Sequence, residues 1–325
     1  MLGCRALLAI AALTTGCADY DGGPLYRLEP SSDGWPTVIE VEPDELYRFR
    51  LDVPPGTRGF AIYTEAPGEP TAVSELFAPD GKMLIDRAYL LGDENRGPGG
   101  PGAAVMSMPN HDIDVSEGGT WRVGVSPGTE YVEVWSAAEV DTPARVVDVV
   151  THMEEPFLGD DELEALFEEG LGILGLTLGR LERRRTLELV QIDIGDVYEQ
   201  ASLIPREDEP VLNVMFYWEL EGGLGISPVG GLPRGGSPVS APALAYDAGP
   251  RTLAHEIGHF LGLFHTTDED GNDVLESTPA CEPSVYAESA AECPGWGNLM
   301  DRSASDDVLT REQQLVIDNS LLWHP

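Results

Sequence analysis

Positive charge is what this chain has least of: 19 Lys and Arg stand against 57 Asp and Glu, a formal net charge of −38. Residues 1–16 carry one Arg and no acid, so removing them leaves 18 − 57 = −39. A phosphate polymer is repelled by such a surface, which excludes nucleic acid as a partner. Long apolar runs are missing as well. The stretch Ala6–Leu13 is too short to cross a bilayer as a helix, and nothing later is long and apolar enough. Cysteine is confined to Cys4, Cys17, Cys281 and Cys293. Helical periodicity is nearly absent between residues 37 and 140. What is present is ample apolar material: 42% hydrophobic residues in a chain of 325 bury a core in two domains, so disorder of the whole chain is excluded.

The first residues, MLGCRALLAIAALTTGC, place Arg5 before the apolar run and small residues before Cys17, the plan of an export signal. Ending on Gly16-Cys17, the segment resembles a bacterial lipoprotein signal, which implies cleavage after residue 16 and lipid on Cys17. The alternative is a plain secretory signal cut nearby. Either way the chain is expected outside the cytoplasm, in the cell envelope or extracellular, touching a membrane only through that anchor. Cys4 leaves with the signal and Cys17 takes the lipid, so Cys281 and Cys293 remain and read as a disulfide, contributing about 3 kcal/mol by loop-closure entropy.

Residues 17–36 read as a linker, and residues 37–145 as strands and turns. Thr120–Val125 and Tyr131–Trp135 alternate inside and outside residues around Pro127-Gly128, and are expected to pair as a hairpin. Leu76–Leu84 forms a second hairpin turned at Asp80-Gly81, and Gly92–Gly102 is an exposed loop. The PDG turn with the later GTWRVGV strand resembles the small β-sandwich domains of the bacterial pre-peptidase C-terminal type, which implies an all-β sandwich. From residue 146 the pattern changes. Val146–Val150 is a β-branched strand, and Leu163, Leu166, Phe167, Leu171 and Leu174 recur at helical spacing over Asp160–Leu174. Strands follow at Thr186–Ile194 and Val211–Leu220. The Gly/Pro/Ser-rich stretch Gly222–Pro242 reads as a linker, an ordered loop or an edge strand.

Residues 255–265 spell HExxHxxGxxH and contain three of the six histidines. Pro250 after Gly249 suits a first helical position, so a helix is predicted from Pro250 to Leu261. His255 and His259, four residues apart, then share one face and reach a single ion. Gly262 ends the helix and turns the chain so that His265 supplies a third nitrogen. Three imidazoles with one open position define a catalytic zinc site, since a structural site uses a fourth protein ligand. Glu256 lies to the side of the metal, where a carboxylate carries a proton from water to a departing amine. A core helix with satisfied histidines explains a lone His, not all five positions together. His111, His152 and His324 are isolated and read as structural, and Thr310–Gln313 is a capping box opening a last helix.

This constellation resembles the metzincin clan of zinc peptidases, and within it pappalysin-like enzymes. The likeness rests on His265-Thr266, on Ser277-Thr278-Pro279-Ala280-Cys281, on Cys293 and on Asn298-Leu299-Met300-Asp301, and spans roughly residues 146–322. It implies a Met-turn, with Met300 packing beneath the ligand histidines. The same likeness points to calcium held by Asp270, Asp273, Glu276 and carbonyls near Thr278, against a plain solvated acidic loop; an EF-hand is excluded, because Asp273 and Pro279 occupy its Gly and Glu positions. Arg302 departs from the pattern, standing where those enzymes carry Tyr.

The expected architecture is α+β: an all-β sandwich followed, over residues 146–325, by a metzincin-type domain with a mixed sheet, an active-site helix, a Met-turn and a C-terminal helix. The expected activity is zinc-dependent endoproteolysis of protein or peptide. Two other readings differ in kind: a surface adhesin or binding lipoprotein with an inert peptidase domain, or a zymogen whose first 145 residues block the zinc.

Overall fold

The computed structural model describes residues 23–66, 71–85, 102–108, 115–142, 144–154, 158–185, 194–220, 223–266, 285, 289–293, 295–301 and 306–325. The expected signal, Cys17, most of the Gly92–Gly102 loop, His111, the four calcium-loop residues Asp270, Asp273, Glu276 and Thr278, Cys281 and Arg302 lie outside them.

Two sheets make up the N-terminal part. One has the order β1 (Leu25–Arg27), β3 (Arg48–Val53), β8 (Gly119–Val125), β5 (Val73–Phe77) and β6 (Met83–Ile85). The other runs β2 (Thr37–Glu40), β9 (Tyr131–Ala138), β4 (Thr57–Glu65) and β7 (Ala103–Met108). Alternation explains why they share a core: Phe49, Leu51 and Val53 of β3 and Trp121, Val123 and Val125 of β8 meet Phe60 and Ile62 of β4 and Val132 and Val134 of β9. The Phe60 and Trp121 rings touch edge to face at 5.1 Å. Two expectations change here. Residues 25–28, expected in a linker, contribute β1, parallel to β3, and the buried Leu28. Thr120–Val125 and Tyr131–Trp135 are not a hairpin, because β8 pairs with β3 and β5 whereas β9 pairs with β2 and β4. The turn at Pro127-Gly128 carries the chain from one sheet to the other, and each strand buries its apolar face from opposite sides of one core. The expected hairpin at Asp80-Gly81 is present, with Asp80 Oδ1 accepting from the Lys82 amide at 2.8 Å.

The second part is a mixed sheet ordered β11 (Thr177–Arg185), β10 (Val146–Met153), β12 (Leu212–Tyr217), β14 (Ala243–Ala245) and β13 (Gly225–Ile226), parallel except for the edge strand β13. Helix α1 (Asp160–Ile173) connects β10 to β11 and packs Leu163, Leu166, Phe167 and Leu171 onto one face, together with α3 (Pro250–Phe260). Helix α2 (Ile194–Leu203) packs Val197 and Ala201 onto the opposite face, against Met215, Tyr217, Ala243 and Ala245. The strand expected at Thr186–Ile194 lies outside the described residues except for Ile194, which opens α2, and Thr177–Arg185 is a further strand that pairs with β10. Helix α4 (Arg311–Asp318) opens with the expected capping box, Thr310 Oγ1 accepting from the Gln313 amide at 3.2 Å while Gln313 Oε1 accepts from the Thr310 amide at 2.9 Å.

Candidate metal centre

Helix α3 starts at Pro250 behind Gly249 and buries Leu253, Ala254, Ile257 and Phe260 in the core. His255, Glu256 and His259 occupy the other side of the helix, and all three are buried. The helix ends in a Schellman arrangement: Gly262 takes φ 105° and donates to the His259 carbonyl at 2.8 Å, while Leu263 donates to the Gly258 carbonyl at 3.0 Å. Only a residue without Cβ accepts that conformation readily, and the reversal brings His265 back over the helix.

The three Nε2 atoms converge. His255 to His259 is 3.1 Å, His259 to His265 is 3.1 Å and His255 to His265 is 3.2 Å. The other nitrogen of two rings is anchored to main chain, His255 Nδ1 donating to Leu299 O and His259 Nδ1 to Leu263 O, each at 2.7 Å. These bonds fix the tautomer, so both Nε2 atoms carry lone pairs aimed at one point. Lone pairs at this separation repel unless a cation lies among them. Tetrahedral zinc with nitrogens at about 2.0–2.1 Å requires them roughly 3.3 Å apart, so the residues fit zinc in spacing, donor type and anchoring. Among the described residues this is the one cluster of three or more His, Cys, Asp or Glu donors within 4.8 Å of one another.

Electrostatics point the same way. Burial holds His255 and His259 below the ordinary imidazole range, the latter also through the other two rings, which keeps them neutral and able to ligate. Burial pushes Glu256 up to about 8, a carboxyl that ionises at neutral pH only with positive charge nearby.

Met300 is fully buried against α3: a Cβ on Gly258 would lie 2.5 Å from its sulfur. The segment is held by contacts that the motif alone does not reveal. Asn298 Oδ1 accepts from the Met300 amide at 2.8 Å, and the Asn298 and Gln313 amides exchange two hydrogen bonds of 2.8 and 3.1 Å. Thr266 donates its amide to Met300 O at 2.9 Å, tying the end of the ligand segment to the same floor. Gly225 of β13 covers Glu256 so closely that a Cβ would meet Cγ and Oε1 at 2.5 Å. The sequence signal for that contact is the glycine itself, in a stretch where glycine also reads as loop. His152 is buried and bonded to Asn213, and His324 stacks on Trp35 at 4.3 Å, so both are structural.

No family model matches the chain. It is 36% identical over 85 residues to a protein of Arthroderma benhamiae named extracellular metalloprotease, covering 23% of this chain and 31% of that one. It is 26% identical over 200 residues to extracellular metalloprotease 1 of Coccidioides posadasii, covering 53% of this chain and 72% of that one. The chain thus spans about a third of the length of the first relative. Among solved structures it overlaps mirolysin in complex with compound 9 at TM-score 0.38, with 14% identity over 54% of this chain and 91% of that one. It overlaps archaemetzincin from Methanopyrus kandleri at TM-score 0.30, with 12% identity over 56% and 90% of the two chains. Overlays this loose do not by themselves fix a family.

Proposed function

We propose that this chain is an exported zinc endopeptidase of the metzincin type, nearest in character to pappalysin-like enzymes, with residues 146–325 catalytic and residues 37–145 a β-sandwich of the pre-peptidase C-terminal kind. The observation that carries this reading is the convergence of three Nε2 atoms at 3.1–3.2 Å beside a buried carboxyl that is not among the three. Similarity to proteins named extracellular metalloproteases supports the reaction class and export.

Zinc at the three nitrogens supplies a Lewis acid that polarises a peptide carbonyl and acidifies water. His255, His259 and His265 hold that cation and, being neutral, leave its charge undiminished. Glu256 accepts the proton of the attacking water on a carboxylate oxygen and delivers it to the departing amine. Gly225 leaves the space in which that carboxylate sits, and Leu299 O and Leu263 O keep two rings from rotating. Met300 forms the Met-turn floor. Cys17 carries the lipid anchor. The buried, disulfide-bonded state of Cys293 supports its pairing with Cys281. Calcium on Asp270, Asp273, Glu276 and Thr278 belongs to the same reading.

Mass spectrometry of a protein substrate incubated with the purified chain, with and without a zinc chelator, tests the proposal. Cleavage at internal bonds, abolished by chelation and restored by zinc, is expected. Glu256→Gln should retain about one zinc per chain yet lose activity by a factor on the order of 100 to 10,000. Undiminished cleavage by Glu256→Gln, or by the chelated protein, would overturn it.

A further inference from the structure

The first two sheets do more than precede the metal centre. Residues 230 and 231 lie between them and the end of α3. The Gly230 amide donates to His259 O at 2.9 Å, a second donor beside Gly262, and the Gly231 amide donates to Phe260 O at 2.6 Å, so this loop grips the carbonyls of the last turn of the helix. On one side the loop presses on β7, where a Cβ at residue 230 would stand 2.9 Å from Val105 O. On the other side Gly231 lies flat on the Phe260 ring, with no room for a methyl group. Leu232 and Val239 complete the contact against Ala61, Tyr63, Val105 and Trp135.

One carboxylate fastens the loop. Glu133 of β9 has a side chain only 2% exposed, and it accepts from Arg234 and Arg206 of the second part and from Tyr131 and the Trp135 indole of its own strand. Arg234 also lies over the Trp135 ring at 5.0 Å. A second tie is Arg58, which donates to Trp323 O at 3.1 Å and stacks on its ring at 3.5 Å. A buried charge with these partners keeps the parts together, because separating them strands ions that were paired.

We infer that the N-terminal two-sheet unit is a permanent part of the working protein, and that Glu133 is a positioning residue which, through Arg234 and the loop at Gly230-Gly231, fixes the helix end carrying His259 and the turn to His265. This rests on the zinc reading above and argues against the unit being a removable prosegment. Three preparations test it: parent, Glu133→Gln, and Trp121→Phe, which perturbs the core shared by the two sheets away from this contact. Cobalt(II) affinity, kcat and KM, and amide exchange of residues 259–263 in chelator-treated protein are compared well below each melting temperature. Glu133→Gln should bind cobalt at least tenfold more weakly, lower kcat at unchanged KM and speed that exchange. Trp121→Phe should lower the melting temperature with none of these effects. If Glu133→Gln does not fold, Arg206→Ala, altering the more exposed partner, should give the same changes in smaller measure. Parental cobalt affinity and exchange in a folded Glu133 or Arg206 variant would overturn the inference. Absence of cobalt binding in the parent would instead remove the zinc reading, and the exchange rates would still decide the positioning.

Discussion

A methyl group on residue 225 is the smallest change that reaches the Glu256 carboxylate without touching a ligand histidine. Its Cβ would stand 2.5 Å from both Cγ and Oε1, well inside van der Waals contact, so either β13 lifts or the carboxylate swings away. β13 is a two-residue edge strand paired, among the described residues, with β14 alone, which makes lifting inexpensive, but either response changes where the Glu256 carboxylate, the proposed proton carrier, lies. Gly225→Ala should therefore keep its zinc and lower kcat by roughly 100-fold, the lower range of what a positioned acid–base group contributes. Steady-state kinetics with zinc analysis on the same preparation checks this, and unchanged kcat would show that Gly225 does not constrain Glu256. A ligand variant behaves differently. His259→Ala leaves two imidazoles, a poor tetrahedral set, and should lose the metal itself, measured as zinc per chain after dialysis.

Helix α4 is tied to the Met300 segment by the side-chain amide of Gln313. Gln313, wholly buried, closes the capping box with Thr310 and holds Asn298, whose other bond fixes Met300 beneath α3. Gln313→Ala strands the buried Asn298 side chain at about 1–3 kcal/mol and removes the capping partner of the part-buried Thr310 amide, costing about 1 kcal/mol more. A loss of roughly 2–4 kcal/mol in urea unfolding is expected, with weaker zinc retention; a loss below 1 kcal/mol would mean that water replaces the bonds. The sequence revealed Gln313 as a cap but not as a tie to residue 298, because a motif prints local spacing and not long-range partners. The same division holds elsewhere. Helices α1, α3 and α4 are legible from periodicity, Pro250 and the capping box, and the convergence of His255, His259 and His265 from spacing four and six apart. β11 was not, since TLGRLERRR is a largely solvent-facing edge strand without apolar alternation. β8 and β9 were read as strands correctly and paired wrongly, because alternation states which face is buried and not which sheet the strand joins.

At the scale of the whole molecule, acid is the condition that separates the forces involved. With a net charge of −38, protonating carboxylates relieves self-repulsion, whereas protonating a buried imidazole opposes folding. His152 isolates the second effect away from the metal centre. It lies inside β10 with Nε2 2.9 Å from Asn213 Oδ1, and burial holds it below the ordinary 6.5, with Arg184 acting in the same direction and Asn213, Glu207 and Glu182 opposing. Well above pH 6.5 neither the folded nor the unfolded chain protonates it, and it has no influence on the pH dependence. As the pH falls through 6.5 the unfolded chain binds a proton that the folded chain refuses, so stability declines at up to about 1.4 kcal/mol per pH unit until the lowered folded-state value is reached. His152→Gln keeps a polar partner for Asn213 and removes the proton site. Urea unfolding of both proteins in chelator at pH 7.5 and 5.5 cancels the carboxylates and the metal ligands, which the two share. The parent should lose more than His152→Gln over that interval, by at most about 1.4 kcal/mol, and equal losses would place the His152 ring in contact with solvent protons.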